Sequence, residues 1–263
     1  MFFPKDIYSL RLVHQYIIAN KIDYFVIGKG TNLVINDCHF NKIFINLKEL
    51  NKISYLKNNK LLILSGCVSS KVSLKLAREG YSGAEFLSVI PGSIGGAVYM
   101  NAGAYGKQVE DIIDKVIVLD NLSNIKLIGK NECGFKYRNS IFKEKQMIIL
   151  GTIIQLSKTT KDKPLEKIKY YVSNKRNNQP LNARSAGSAF LNPKEMKAWE
   201  VVDKLGFRGK VNGGAKVSEK HTNFLLNQNQ ASFNDIYDLM LEITLKAKEK
   251  YNIDLECEWE ILK

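Results

Sequence analysis

The chain has 263 residues, of which 45% are hydrophobic and 10% aromatic, so it is long enough for one large or two smaller globular domains and is not a disordered chain. No apolar run approaches the ~18–20 residues of a membrane helix, and MFFPKDIYSL carries Asp6 with no long apolar region, so neither a membrane span nor a signal peptide is expected. The net charge of +13 comes from Lys and Arg scattered along the chain, and a dispersed excess without blocks argues against nucleic acid as the partner.

In chain order, residues 4–20 read as a short helix and YFVI (24–27) as a strand. GKGTNLVIN then turns on Gly28 and Gly30 and re-enters a strand at Leu33. KLLILSG (60–66) is a further strand. In SSKVSLKLAREG, Ser69 is the expected N-cap, Val72, Leu76 and Ala77 mark one face, and Gly80 is the stop. DIIDKVIVLD and QMIILGTIIQL read as strands rich in branched residues.

The texture changes near Leu156, where a polar stretch with a helix-like centre forms a junction at 156–160. In 234–251, Ile236, Leu239, Met240, Ile243, Ala247 and Tyr251 recur at helical spacing, with Ser232 and Asp235 as a capping box. DLECEWEIL alternates as a closing strand. Cys38, Cys67, Cys133 and Cys257 form no CxxC pair, which argues against a zinc site or a disulfide framework and fits a reducing, cytoplasmic setting.

The densest chemical signal is FLSVIPGSIGGAVYMNAGAYG (86–106). These 21 residues hold five of the 18 glycines and no Asp, Glu, Lys or Arg. Glycine lets a ligand approach the peptide N–H groups, and successive N–H groups in a turn hold a diphosphate without Lys. Neither a P-loop nor a GxGxxG fingerprint is present. A second glycine turn, GKGTNLVI (28–35), offers Thr31 and Asn32 as side-chain donors, and two such turns suit an extended nucleotide cofactor.

YSGAEFLSVIPGSIGGAVYMNAGAYG, GKGTNLVI, FKYRNSIF, SAGSAFLNP, GGAKVSEKHTNFLLN and LECEWE together resemble the UDP-N-acetylenolpyruvoylglucosamine reductases (MurB), in the branch that lacks a substrate-capping tyrosine loop. The resemblance implies an α+β fold. An FAD-binding domain of the PCMH/vanillyl-alcohol-oxidase type would span 1–157, and a smaller MurB-type C-terminal α/β domain 158–263. It implies tightly bound FAD, NADPH as co-substrate, and UDP-N-acetylglucosamine enolpyruvate as substrate, in a cytoplasmic monomer of peptidoglycan precursor synthesis. The alternatives are a flavin oxidase of the same fold, or an inactive or cofactor-free nucleotide-binding protein.

By the same resemblance, Arg138 in FKYRNS is the catalytic arginine, Ser188 in SAGSAF the proton donor, and Glu258 the catalytic glutamate. Glu256 lies two residues earlier, and strand alternation alone does not separate the two. Gly28, Lys29, Gly30, Thr31, Asn32, Leu33, Pro91, Gly92, Ser93, Gly95, Gly96, Ala102 and Gly103 would contact the cofactor; Asn192, Arg176 and Gln179 would contact the substrate; no metal is implied. Ser185, His221 and Cys133 read as structural, and His14 and His39 have no supporting context.

Four departures from the family pattern stand out. The family's TTxxxGG-like opening segment is not in this sequence, so either the recorded start is late or the flavin pocket is expected to be partly open. Lys29 and Thr31 stand where Gly and Ser are usual, Leu191 replaces a basic residue, and Arg184 takes a position that is usually small or Pro.

Overall fold

The computed structural model describes all residues, 1–263. The chain divides into two compact units: Met1–Lys29 with Asn41–Ser173, and Gly30–Phe40 with Asn174–Lys263. It therefore passes between them three times, the last time inside a helix. The segment 30–40 packs with the second unit although the sequence reading grouped it with the first.

The first unit is built on a five-stranded sheet in the order 125–129, 113–119, 148–155, 60–64, 53–55, with every neighbouring pair antiparallel. The central strand Ile148–Gln155 is almost entirely buried, in keeping with its five Ile and Leu residues. Its Gly151 admits the neighbouring strand, because a Cβ there would lie 2.8 Å from Ile63 O. A parallel pair, Tyr24–Ile27 with Ile43–Asn46, forms a second small sheet.

Helix α1 (Ile7–Ala19) starts where Asp6 and Ser9 close a capping box, and it buries Leu10, His14 and Ile17. Its contact with the turn 120–124 is polar. Arg11 Nε donates to Ser123 O at 2.9 Å, and His14 Nδ1 lies 2.8 Å from Ser123 Oγ. Helix α2 (Ser69–Arg78) begins one residue earlier than the capping chemistry suggested. Val68 is the N-cap, and Ser69 is already helical, with its N–H donated to Gly92 O at 3.1 Å and its Oγ buried without a partner. The expected stop holds: Gly80 takes φ +77, and a Cβ there would meet Thr159 O at 2.7 Å.

Two short helices follow, α3 (Ile94–Tyr99) and α4 (Ile141–Glu144), and then α5 (Asp162–Asn178), which carries the chain out of this unit. The main core gathers Leu61, Ile63, Leu76, Phe86, Leu87, Val98, Val116 and Val118, each 2% exposed or less. At about 1.5–3 kcal/mol per fully buried large side chain, these residues outweigh the unit's exposed ion pairs, which are worth about 0–1 kcal/mol each.

In the second unit, α6 (Ala198–Lys204) and α7 (Phe233–Tyr251) pack with a three-stranded antiparallel sheet of 211–212, 215–217 and 225–227. The Ser232–Asp235 capping box opens α7, and Asn252 ends it at φ +53. Leu33–Ile35 pairs in parallel with Glu260–Leu262, which brings the far ends of the sequence together. No helix is long and apolar enough to cross a membrane.

Asp120 organises the turn that receives α1. It is 3% exposed, accepts the N–H groups of Leu122 and Asn124, and pairs with Lys126 at 2.8 Å. Lys126 foremost, with those backbone donors, holds its pKa at about 2, below the ordinary 3.8. A depressed carboxylate contributes stability that is present above the unfolded value and is lost as pH falls toward the folded one. Asp120→Asn should therefore unfold at lower urea than the parent at neutral pH, with the gap closing between pH 3.8 and about 2. Urea midpoints across that range check it, and a gap independent of pH contradicts it.

Candidate functional site

In the first unit the two glycine turns meet. Gly28 ends the strand 24–27, and Asn46 Nδ2 fixes its carbonyl at 3.1 Å. A Cβ on Gly28 would lie 2.7 Å from Ser93 Oγ, so only bare backbone passes here. On the other side, Ser93 caps α3, accepting the Gly96 N–H at 3.4 Å. Gly95 packs so tightly on the sheet that a Cβ would meet Ser65 Cβ at 2.7 Å. Ser65 Oγ in turn donates to Ile149 O at 2.5 Å. The turn is thus keyed to the buried central strand.

The N–H groups of Ile94, Gly95 and Gly96 are each taken within the chain, by Cys67 O, Ser65 O and Ser93 Oγ. An anion at this turn would be met by the amides ahead of Ile94, where Gly92 takes φ +114. Residues 28–33 and 91–96 contain no carboxylate side chain, so a diphosphate would meet no like charge. The residues present fit a flavin nucleotide, and Gly28, Gly92 and Ser93 would hold it. Gly95 serves packing, Gly96 and Lys29 are exposed, and Pro91 precedes the turn. Ala102 receives the Val109 N–H, and Gly103 pairs with Gln108.

Arg138 belongs to this unit. Lys136 and Asn139 exchange backbone hydrogen bonds of 3.0 and 3.1 Å, which closes a two-residue turn with Arg138 at φ +54. Positive φ is costly for a long side chain, by about 1–3 kcal/mol, so the turn needs outside support. Arg138 Nη2 donates to Gly103 O at 3.0 Å, Asn101 Nδ2 to Lys136 O at 3.0 Å, and Ser140 Oγ to Tyr99 O at 2.6 Å. All three reach the segment 99–103. Cys133 is buried and donates to Gly129 O, and burial pushes its thiol up to about 12, which disfavours the reactive thiolate.

In the second unit, Ser188, Glu258, Thr31 and Asn32 come together. Residues 188–190 run between 223–224 and 256–258: Ser188 bridges Phe224, Phe190 bridges Cys257, and the Glu258 N–H donates to Ala189 O at 2.9 Å. Asn223 clamps this segment, with Oδ1 on the Phe190 N–H and Nδ2 on its carbonyl, both at 2.9 Å. Gly187, at φ +84, lies beside Thr31 O. Asn32 Nδ2 donates to Glu258 O at 2.9 Å, and Asn32 O accepts the Glu260 N–H at 3.0 Å. Leu33 follows as the first residue of the parallel pair. Burial separates the two carboxylates: Glu258 is half-buried and Glu256 is exposed.

The expected substrate contacts sit nearer the surface. Asn192 is exposed, and its Oδ1 accepts the Ala198 N–H at the start of α6. Arg176 is exposed, with its carbonyl held by Lys220 Nζ at 2.7 Å, and the Gln179 N–H donates to Lys175 O at 2.9 Å. His221 packs edge-on to Phe224 with Nδ1 buried and unpartnered. Burial lowers its pKa, consistent with the structural role read from the sequence. The residues that sequence reasoning missed are Asn46, Ser65, Asn101, Ser140 and Asn223, whose side chains bond backbone far away in the chain.

The contact at position 28 is testable by compensation. Gly28→Ala forces an overpacked contact worth about 1–3 kcal/mol, which corresponds to about tenfold or more in FAD affinity if the turn opens. Adding Ser93→Ala removes the Oγ and leaves Cβ 3.8 Å away, so the double variant should regain flavin. Flavin released from purified variants measures both effects. An unrecovered double variant contradicts the steric account.

The chain is similar to known proteins along nearly its whole length. Residues 1–125 match an FAD binding domain, and residues 179–262 match the UDP-N-acetylenolpyruvoylglucosamine reductase C-terminal domain. The chain is 35% identical to the UDP-N-acetylenolpyruvoylglucosamine reductase of Carboxydothermus hydrogenoformans, covering 98% of this chain and 86% of that protein. It is 36% identical to that of Thermotoga maritima, over 98% and 90%. The crystal structure of MurB from Thermus caldophilus superposes with a TM-score of 0.85 at 28% identity, over 99% of this chain and 91% of that one. An FAD-binding region followed by a MurB C-terminal domain is therefore the architecture here, and the chain belongs to the UDP-N-acetylenolpyruvoylglucosamine reductase family.

Proposed function

We propose that the chain reduces the enolpyruvyl group of UDP-N-acetylglucosamine enolpyruvate, with NADPH as reductant, to give UDP-N-acetylmuramate. The observation that carries this reading is that family relatedness extends over 98% of the chain and 86% of a relative named for this reduction, with Arg138, Ser188 and Glu258 all present. Bound FAD, held by the Gly28 and Gly92–Ser93 turns, would supply the hydride-carrying chemistry between NADPH and the substrate.

The protein's own residues handle charge and proton. Hydride arriving at one vinyl carbon leaves an electron pair on the other, delocalised into the substrate carboxylate. Arg138 stabilises that charge, because a guanidinium grips a carboxylate through parallel hydrogen bonds and keeps its proton. Ser188 delivers a proton to the second carbon, which completes addition of one hydride and one proton across the double bond. Glu258 acts as a further donor to the substrate.

Flavin binding falls chiefly to the first unit and substrate binding chiefly to the second, with Asn192, Arg176 and Gln179 toward the UDP portion. The four cysteines are all free, which supports action in the reducing cytoplasm.

Rapid-mixing absorbance separates the two half-reactions. Arg138→Ala is expected to slow substrate-driven reoxidation of the flavin by about 10²–10³-fold, leaving NADPH-driven reduction near the parent rate. Ser188→Ala should show the same split. Normal reoxidation in either variant removes that residue from the proposed chemistry.

A further inference from the structure

We propose that Asn101 is the positioning residue for Arg138, holding the turn that carries it through the Lys136 carbonyl. The inference rests on the role proposed above for Arg138.

Asn101 is completely buried, and its backbone lies at φ +41. In that region glycine is the residue the backbone alone would favour, with Asn tolerated because its short side chain bonds locally. Here both ends of the side chain are used. Nδ2 donates to Lys136 O at 3.0 Å, and Oδ1 accepts the Glu110 N–H at 3.0 Å. A glycine would satisfy φ but would leave the part-buried Glu110 N–H without this acceptor and the Lys136 carbonyl with only the Asn139 N–H.

The Lys136 carbonyl is one hinge of the two-residue turn that holds Arg138 at φ +54. The other hinge, Asn139, is followed at once by Ser140, which donates to Tyr99 O. Arg138 itself donates to Gly103 O. The strained turn is therefore tied at both ends and at its tip to residues 99–103, with Asn101 between the other two anchor points. Removing the Asn101 donor unties that hinge from residues 99–103, leaves the turn closed only by the Lys136–Asn139 pair, and lets the guanidinium swing, while the sheet and the glycine turn at 91–96 keep their own supports. Misplacement of a charged group by about 1 Å can cost about 10²-fold in rate.

The test uses the flavin-loaded chain. Asn101→Asp keeps size, positive-φ tolerance and the acceptor for Glu110, and replaces the donor with an oxygen facing a carbonyl. Asn101→Gly keeps the backbone and removes both bonds. Both variants are expected to retain flavin and to be reduced by NADPH at the parent rate, with reoxidation by substrate slowed by about 10–10²-fold. In an Arg138→Ala background, Asn101→Asp should add less than about twofold, since a residue that acts through another is non-additive with it. Equal slowing in both backgrounds overturns the proposal. So does loss of flavin, or a lowered thermal midpoint in both variants, without a difference between the half-reactions. Unchanged reoxidation in Arg138→Ala alone shows instead that the reading of Arg138 has failed, whatever the Asn101 variants do.

Discussion

At Gly28 the backbone passes Ser93 with no space for a side chain, and much of the first unit's construction serves that approach. Ser93 is placed by capping α3 and by its bridge to Val68. The helix start is placed by Gly95 against Ser65, and Ser65 by its hydrogen bond to Ile149 on the most buried strand. Gly28 is placed by Asn46. A chain of short, specific contacts thus runs from the apolar core to the half-buried peptide of the turns, through Gly95, Ser65, Ser93 and Asn46. Packed interiors transmit displacement rather than absorb it, so the turn inherits the rigidity of the sheet.

The groups proposed to react follow the same pattern: each is carried by a strained or clamped segment rather than by a regular element. Arg138 sits at positive φ in a turn held by Asn101, Ser140 and its own bond to Gly103. Ser188 follows Gly187 at φ +84 and precedes a pair of residues secured by the Glu258 N–H and by Asn223. Glu258 is fixed through Asn32, which belongs to the glycine turn in sequence. Buried asparagines do this work because one side chain both donates and accepts, and so satisfies two backbone groups of opposite kind.

The elements with strong local signals were legible: α1, the strands 24–27, 113–119 and 148–155, and α7 with its capping box follow from periodicity and caps. Ser69 misled because a hydroxyl residue before an apolar face resembles a cap, whereas its N–H was already engaged by Gly92. The membership of 30–40 in the second unit was not readable locally. It depends on Leu33–Ile35 pairing with Glu260–Leu262, more than two hundred residues away. Arg138, Ser188 and Glu258 were found through family motifs, since nothing in composition distinguishes one Arg or Ser from another. Asn101 and Asn223 were passed over because their partners, Lys136 and Phe190, lie more than thirty residues away. Glu256 and Glu258, indistinguishable by alternation, were separated by the family motif, and they differ in burial as well.

The central claim is that bare peptide at the Gly28 and Gly92–Ser93 turns holds a diphosphate. Titration of the flavin-stripped protein with FAD and with FMN, followed by fluorescence quenching, tests it most directly, because FMN carries one phosphate and no diphosphate. Tight binding of FAD with FMN weaker by about 10²-fold or more, near 3 kcal/mol, is the predicted result. Equal affinity for the two flavins, or none for FAD, would contradict the account.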